Sequence, residues 1–571
     1  MAAEQPQSTS AASTAPTRSG SSSSASSASS ATRTEPEEQH QRDVESLVAY
    51  DHSTYFSRLF DQAGMSRAVI EYQFPGKGTE ENPFLVDFIP NDPKDPMALP
   101  NWKKWTWMML HAMAVLAVTF VSSAYSGAFT SLVMEFHAST TVIILGVSLF
   151  VLGFALGPLI WAPMSEIYGR QWLFIGTMGA LTAFNAGAAG ATNIHTLIIL
   201  RFFAGTIGSS PLTNSGGLIA DAFTQAQRGL ATSIFAAAPF LGPALGPIAG
   251  GFLSVDAGWR WVEGLMAAFT GVMWIIISLT VPETYAPVIL QRRAEKLSAI
   301  TGKKYISKLQ AGKPVKTIGQ TFKTALARPW VLLFREPIVL ILSLFMAILY
   351  GTLYMLFAAF PIVYQQGRGW SPGVGGLAFL GVAVGMMVAV GYTIWDNRRY
   401  AKISDAHDGL APPEARLPPA LIGAVLLPVG MFWFAWTNGP EVHFMVSITG
   451  TAFFGAGLVL LFLSLMNYLI DTYVIFAAST LAANAVIRSL FGAAFPLFTG
   501  TMYTNLGIHW ASSIPAFLGV ACLPFPFLFY KYGKSIRLKC RYAAEAAEFL
   551  AQLRGAPVLV RIESQAEKPV M

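Results

Sequence analysis

Asn484 and Arg488 interrupt a long apolar run near the C-terminal end of the chain. Four residues apart on a helix, they share one face. A guanidinium in such surroundings has two uses: it receives an anionic group from a bound molecule, or it holds a carboxylate from a neighbouring helix. Arg201 is a second cation inside an apolar stretch, where a charge is expensive and must pair or reach water. It lies close to one end of that stretch, so a salt bridge or a side chain snorkelling to the surface stays open. Carboxylates able to change charge are few: Asp221, Glu263, Asp471 and Glu135, ranked in that order, and each reads equally as an ordinary ion-pair partner. At 1.5 Å per residue Glu135 lies about 45 Å beyond Trp105, past any hydrocarbon layer. Tyr350 and Tyr354, again four apart, with Phe357 nearby, offer ring faces to a lipophilic or planar molecule or simply pack between helices. Tyr125 and Asn214 are further cavity candidates. These groups bind and carry charge rather than break bonds. Paired His or carboxylate clusters with metal or catalytic spacing are missing, as is a Gly-rich phosphate loop after a strand. No catalytic residue, metal or cofactor is therefore expected.

The elements that must hold these residues are written in the hydropathy. Twelve apolar stretches lie at about 105–129, 140–162, 172–191, 196–220, 228–252, 260–281, 336–361, 372–395, 417–437, 442–467, 475–503 and 509–531. A bilayer core of roughly 30 Å needs about 20 apolar residues in a helix, so each is long enough to cross. Only 12% of residues are charged and mean hydropathy is +0.48, against about 25% charged in soluble domains. Lipid-facing surface explains the deficit. The expected fold is an all-α polytopic membrane protein of twelve spans in two six-helix halves.

Charge placement orients the chain. Loops after odd-numbered spans carry only Arg260 and Arg368, whereas those after even-numbered spans carry Arg170, Arg228, Arg398, Arg399, Lys402 and Arg416. The connector Glu283–Arg335 holds eleven Lys or Arg against Glu283 and Glu295. Cations gather on the cytoplasmic side, so both termini and this connector are expected in the cytoplasm, the connector against anionic lipid. The net charge of +6 is thus assigned to topology and no nucleic acid is expected as a partner. The organisation reads as residues 1–104 a disordered cytoplasmic tail, 105–282 the first half, 283–335 the basic loop, 336–532 the second half, and 533–571 a tail with an amphipathic surface helix. Met1–Thr34 is Ser-, Ala- and Thr-rich without a signal-peptide core; a mitochondrial transit peptide is the lesser alternative, since its Arg are sparse and Glu35, Glu37 and Glu38 follow. Cys522 and Cys540 are too few for a disulfide framework.

Three strings carry a resemblance. Gly242-Pro-Ala-Leu-Gly-Pro-Ile-Ala-Gly-Gly251 runs through the fifth span; its Gly242, Gly246, Gly250 and Gly251 leave a groove along one helix face, and Pro243 and Pro247 remove donors and bend it. The string resembles the antiporter motif of the major facilitator superfamily, which implies a seal against proton leak. Ala162-Pro-Met-Ser-Glu-Ile-Tyr-Gly-Arg170 resembles that superfamily's signature loop between spans two and three. Glu166, Gly169 and Arg170 match it; Ala162 and Ile167 depart from it, Ile167 replacing the first Arg and with it one arm of the signature's charge network. Glu166 is expected to face a helix N-terminus or a cation from the other half. Arg201-Phe-Phe-Ala-Gly205 resembles the family's Arg-x-x-x-Gly motif, implying a role in proton transfer, with Ala204 where Gln is common.

Trp259-Arg-Trp261, Pro282-Glu-Thr-Tyr-Ala-Pro287, Asn467-Tyr-Leu-Ile-Asp471 and the run Ala482–Pro496 are similar to the fungal twelve-span drug:proton antiporters, the group with polyamine, fluconazole and cercosporin exporters. Over residues 83–540 the resemblance implies a plasma-membrane exporter of a small amphiphilic molecule, working as a monomer and driven by the proton gradient without a cofactor. The alternatives are an importer or sensor of the same fold, disfavoured by the fifth-span string, and a membrane enzyme, disfavoured by the missing catalytic clusters.

Overall fold

The computed structural model describes residues 55–312, 317–407 and 411–553. Ten apolar helical spans run Asn101–Phe136, Thr140–Tyr168, Arg170–Ala189, Ile194–Ala222, Gln227–Asp256, Trp259–Thr280, Pro337–Gln366, Pro372–Asp405, Pro418–Thr437 and Phe444–Thr472. A last continuous run, Val474–Lys539, breaks at Gly507, whose φ of 73° and ψ of 167° cannot continue a helix. Glycine tolerates that angle where other residues strain. Divided there, the run supplies the eleventh and twelfth spans, and the described residues form a bundle of twelve spans in two groups of six. Large apolar side chains such as Ile275, Val388 and Phe517 are exposed on its outside, as a surface solvated by lipid requires.

Local signals set the breaks. Ser139 and Asn193 cap the second and fourth spans, accepting hydrogen bonds from Val142 N and Thr196 N. Gly169, at φ 89°, turns the chain between the second and third spans. The first span is interrupted by a 3-10 turn at Tyr125–Ala128 before resuming to Phe136.

The expected disorder of residues 1–104 is corrected for the described part. Residues 55–100 fold with the central connector into a lobe at the connector end of the bundle. Strand β1 (Phe84–Val86) pairs in parallel with β2 (Tyr305–Ser307), Leu85 opposite Ile306. A separate core of Met65, Val69, Phe74 and Val86 packs on Leu290, Ala294 and Leu297. Asp92 and Arg293 form an ion pair of 2.5 Å with both side chains essentially unexposed. The partners lie about two hundred residues apart in sequence, so neither segment alone contains a core. Met1–Thr34 lies outside the described residues, as do residues 554–571.

The second half also extends past its expected end at 532. A helix from Pro524 to Lys539 stays continuous, and Arg537 forks onto both carboxylate oxygens of Glu414. The following helix, Arg541–Leu553, docks by donating Tyr542 N to Glu336 and by burying Ala543 and Ala546. Cys522 and Cys540 are unpaired and buried. Burial, with the charge of Glu336 beside it, pushes the Cys540 thiol up to about 11.

Candidate carrier site

The glycine string of the fifth span lies directly on the first span. A Cβ on Gly246 would overlap Ser123 Oγ and come within 2.7 Å of Ala124 N. One on Gly242 would overlap Thr119, and one on Gly250 the Ala124 carbonyl. Gly251 instead meets Pro372 at the start of the eighth span, where an added Cβ would come within 2.5 Å of the Pro372 carbonyl oxygen, while a Cβ on Gly376 of the eighth span would come within 2.7 Å of the carbonyl oxygen of Pro247. One string thus makes two backbone-to-backbone contacts, one within the first half and one between the halves. The second closes the bundle at the end remote from the connector.

Arg201 lies at the centre of the first half, fully buried. It donates Nη1 to Glu263 at 3.0 Å, Nε to the Gly146 carbonyl at 2.9 Å and Nη2 to the Val121 carbonyl at 3.0 Å. The guanidinium also stacks on Tyr125, 4.2 Å from the ring centroid. Glu263 is 1% exposed, and its second oxygen and the Tyr125 hydroxyl lack hydrogen-bond partners among the described residues. The snorkelling alternative for Arg201 is therefore excluded. Tyr125 belongs to this cluster rather than to the cavity around Arg488.

The other ranked carboxylates sit at the bundle ends. Asp221 accepts from Arg170 at 2.6 Å, with Arg170 stacked on Tyr285 at 4.9 Å. Asp471 accepts from Arg416 at 2.8 Å and from Tyr400 at 3.1 Å. Glu135 accepts from Arg260 at 2.5 Å and from the Trp259 indole at 2.6 Å. Asn214 donates to Ser210, and its carbonyl accepts from Arg170; it too stands apart from Arg488.

The carboxylate over the N-terminus of the third span is Glu283, which accepts from Arg170 N at 3.0 Å and Gln171 N at 3.1 Å. Negative charge at that position suits the helix dipole. Glu166, expected in this role, is exposed and acts with burial to raise Tyr285 to about 12. The string Pro282-Glu-Thr-Tyr already contained Glu283, but nothing local indicated which helix it caps.

Arg488, Asn484, Tyr350 and Tyr354 do come together. Arg488 lies over Tyr350 at 4.9 Å and Phe462 at 5.2 Å. Tyr350 donates to Tyr354 at 3.3 Å, and Tyr354 shares a 2.9 Å hydrogen bond with Ser122 of the first span. Asn484 is buried, its amide 3.7 Å from Met346 Sδ. Ser122 and Phe462 were not anticipated, because neither stands out among the many serines and phenylalanines of the spans. A small open cleft lies nearer the connector end, between Thr232 and Ser233 of the fifth span and Asn397, Ser464 and Asn467 of the other half.

Twelve described helical segments long and apolar enough to cross a membrane, a polar centre between two groups of six and a cleft at one end are the architecture of a polytopic membrane transport protein. A profile of the Major Facilitator Superfamily matches residues 112–496, and the chain belongs to that superfamily. An efflux pump of Trichophyton rubrum, MFS2, is 62% identical over 499 residues, covering 87% of this chain and 84% of that protein. The multidrug transporter mdrA of Aspergillus fumigatus is 59% identical over 499 residues, covering 87% and 82%. Among solved structures, the proton:xylose symporter XylE has a TM-score of 0.55 at 17% identity, covering 76% of this chain and 96% of that one; this likeness concerns the fold.

Proposed function

We propose that the chain exports a small amphiphilic molecule across the plasma membrane in exchange for protons, with both termini and the connector in the cytoplasm. Export is favoured by relatives named as efflux pump and multidrug transporter, which align along most of their length. The cation-rich connector favours the orientation. Proton exchange rests on one observation above all: Glu263, alone among the four ranked carboxylates, lies in the buried interior, gripped by Arg201. A carboxylate in that setting binds a proton when its cation turns away and releases it when the cation returns. The mechanism needs only protein residues and the proton gradient.

Cargo entering from the cytoplasmic cleft meets Tyr350, Tyr354, Phe462 and Arg488 between the halves. Rocking the halves apart at the glycine contact of Gly251 with Pro372 exposes that centre to the outside. Protonation of Glu263 from the outside loosens its bond to Arg201, whose other partners are carbonyls of the first and second spans. The test is efflux of a preloaded lipophilic dye from expressing cells, with and without a protonophore. Efflux should stop when the gradient collapses; efflux that continues at the same rate overturns the exchange.

A further inference from the structure

On the eleventh span Thr480, Asn484 and Arg488 follow one another at i, i+4 and i+8, a single stripe on one face. Each carries a buried polar atom without a hydrogen-bond partner among the described residues: Thr480 Oγ1, Asn484 Oδ1 and Arg488 Nε. Thr480 and Asn484 are almost wholly unexposed. The stripe starts at the connector end, where the span begins, and ends at the cation between the halves. Stranded polar atoms are costly in a bilayer-embedded bundle unless something supplies their partners.

We infer that Arg488 binds the acidic head of the cargo, so that the exported molecule is a lipophilic organic anion of the carboxylate class. This rests on the exporter reading and adds to it the charge of the cargo. The ion pairs of the described residues assign the Arg488 guanidinium no carboxylate; those formed within the bundle go to Arg201, Arg170, Arg416, Arg260, Arg399 and Arg537. Its contacts are instead the ring faces of Tyr350 and Phe462, which steady the guanidinium plane and leave its donor edge for a ligand. That edge, with parallel N–H groups, matches a carboxylate in two-point contact. Phe462, Phe240 and the tyrosine pair form an apolar, aromatic surround for the body of such a molecule. Outward movement of an anion and inward movement of a proton both carry positive charge inward, so a negative-inside membrane potential drives both.

The test uses the full chain in nanodiscs of neutral lipid, with 2-naphthoate, 2-naphthamide and 2-naphthylmethylammonium as probes that share a body and differ in charge. Naphthoate should bind about tenfold tighter than the amide or more, as a charge-assisted two-point contact requires, and the ammonium should bind weakest. Arg488→Gln should bring acid and amide to equal affinity, and Arg488→Lys should keep the order with a smaller gap. Equal wild-type affinities for acid and amide, absence of naphthoate binding at millimolar concentration, or an unchanged gap in Arg488→Gln each overturn the assignment. The wild-type comparison stands even if a variant fails to fold. Active efflux of neutral dyes without preference for acids defeats the anion site and leaves the exporter standing; acid binding without outward transport does the reverse.

Discussion

Removing either member of the Arg201–Glu263 pair should destabilise the first half by an amount that depends on what is left behind. Arg201→Met abolishes three hydrogen bonds, to Glu263, Gly146 and Val121, and strands a carboxylate that is 1% exposed. Breaking a buried pair from one side costs about 3–5 kcal/mol. Glu263→Gln is gentler, because the side-chain carbonyl still accepts from Arg201 Nη1; the loss should be near the value of a charge-assisted bond, about 1.5–3 kcal/mol. In the double variant Arg201→Met/Glu263→Met no charge is left unpaired. Its loss should fall short of the sum for the separate Arg201→Met and Glu263→Met variants by roughly 0.5–3 kcal/mol. Equilibrium unfolding of the purified chain by SDS titration measures all four. Strict additivity would mean that the two groups do not sense each other, and the account of the buried pair fails. Glu263→Gln carries a second readout: it should fold and reach the membrane, but its efflux should no longer quicken when the external medium is acidified. Acid stimulation equal to wild type removes Glu263 from the proton path.

Gly246→Leu forces atoms into Ser123 and the backbone at Ala124; overpacking of about 1–3 kcal/mol or more is expected, seen as a lower thermal midpoint and lost efflux. Gly216→Ala is the control, since a Cβ there meets nothing within 4 Å, and replacing a helical glycine should be neutral or gain about 0.5–1 kcal/mol. Asp92→Ala leaves Arg293 buried without its carboxylate; limited proteolysis should then cut within residues 62–95 while the span fragments persist, and an unchanged digest would show that the lobe does not depend on the pair. Cys540 should resist maleimide in the folded chain, since its buried thiol is held near 11 and the reactive thiolate is scarce at neutral pH; it should label fully once unfolded. Rapid labelling of the native chain contradicts that burial.

Hydropathy was sufficient to find the twelve spans because a bilayer imposes a length and an apolar composition on each crossing, and both are local properties of sequence. The glycine string was equally legible, since its consequence, a helix face without side chains, is written in four residues. Pairings were not. Arg201 and Glu263 are 62 residues apart, and nothing local to either stretch signals the other as its partner. Glu263 stands near the start of the sixth span, yet helix packing brings Arg201 over it and both are buried. The ordered lobe was missed for a related reason: Phe84–Val86 and Tyr305–Ser307 are each too short to signal a strand until the connector brings them side by side.

Charge and close packing are divided between two tasks in this molecule. The ion pairs Arg201–Glu263, Arg170–Asp221 and Arg260–Glu135 each join elements of the first half, and Arg416–Asp471 and Arg537–Glu414 each join elements of the second. The pairs at the connector end even repeat: a cation at the start of the third or ninth span, a carboxylate at the end of the fourth or tenth, and a tyrosine ring under the guanidinium. Contacts between the halves include ones of another kind: Gly251 and Gly376 against backbone, Gly492 beside Val151, Gly229 beside Asn397, the Phe240–Phe462 ring pair and the Ser122–Tyr354 hydroxyl bond. Parting the halves therefore breaks none of those ion pairs and strands no ion from them. Short-range neutral contacts lose most of their energy within an ångström or so of separation, so such an interface yields early, while each half, tied by charges that are costly to separate, moves as a unit. Arg488, to which the ion pairs of the described residues assign no carboxylate, stands beside that same interface with its guanidinium over Tyr350, so its surroundings change as the halves part, which suits the cargo-binding role proposed for it.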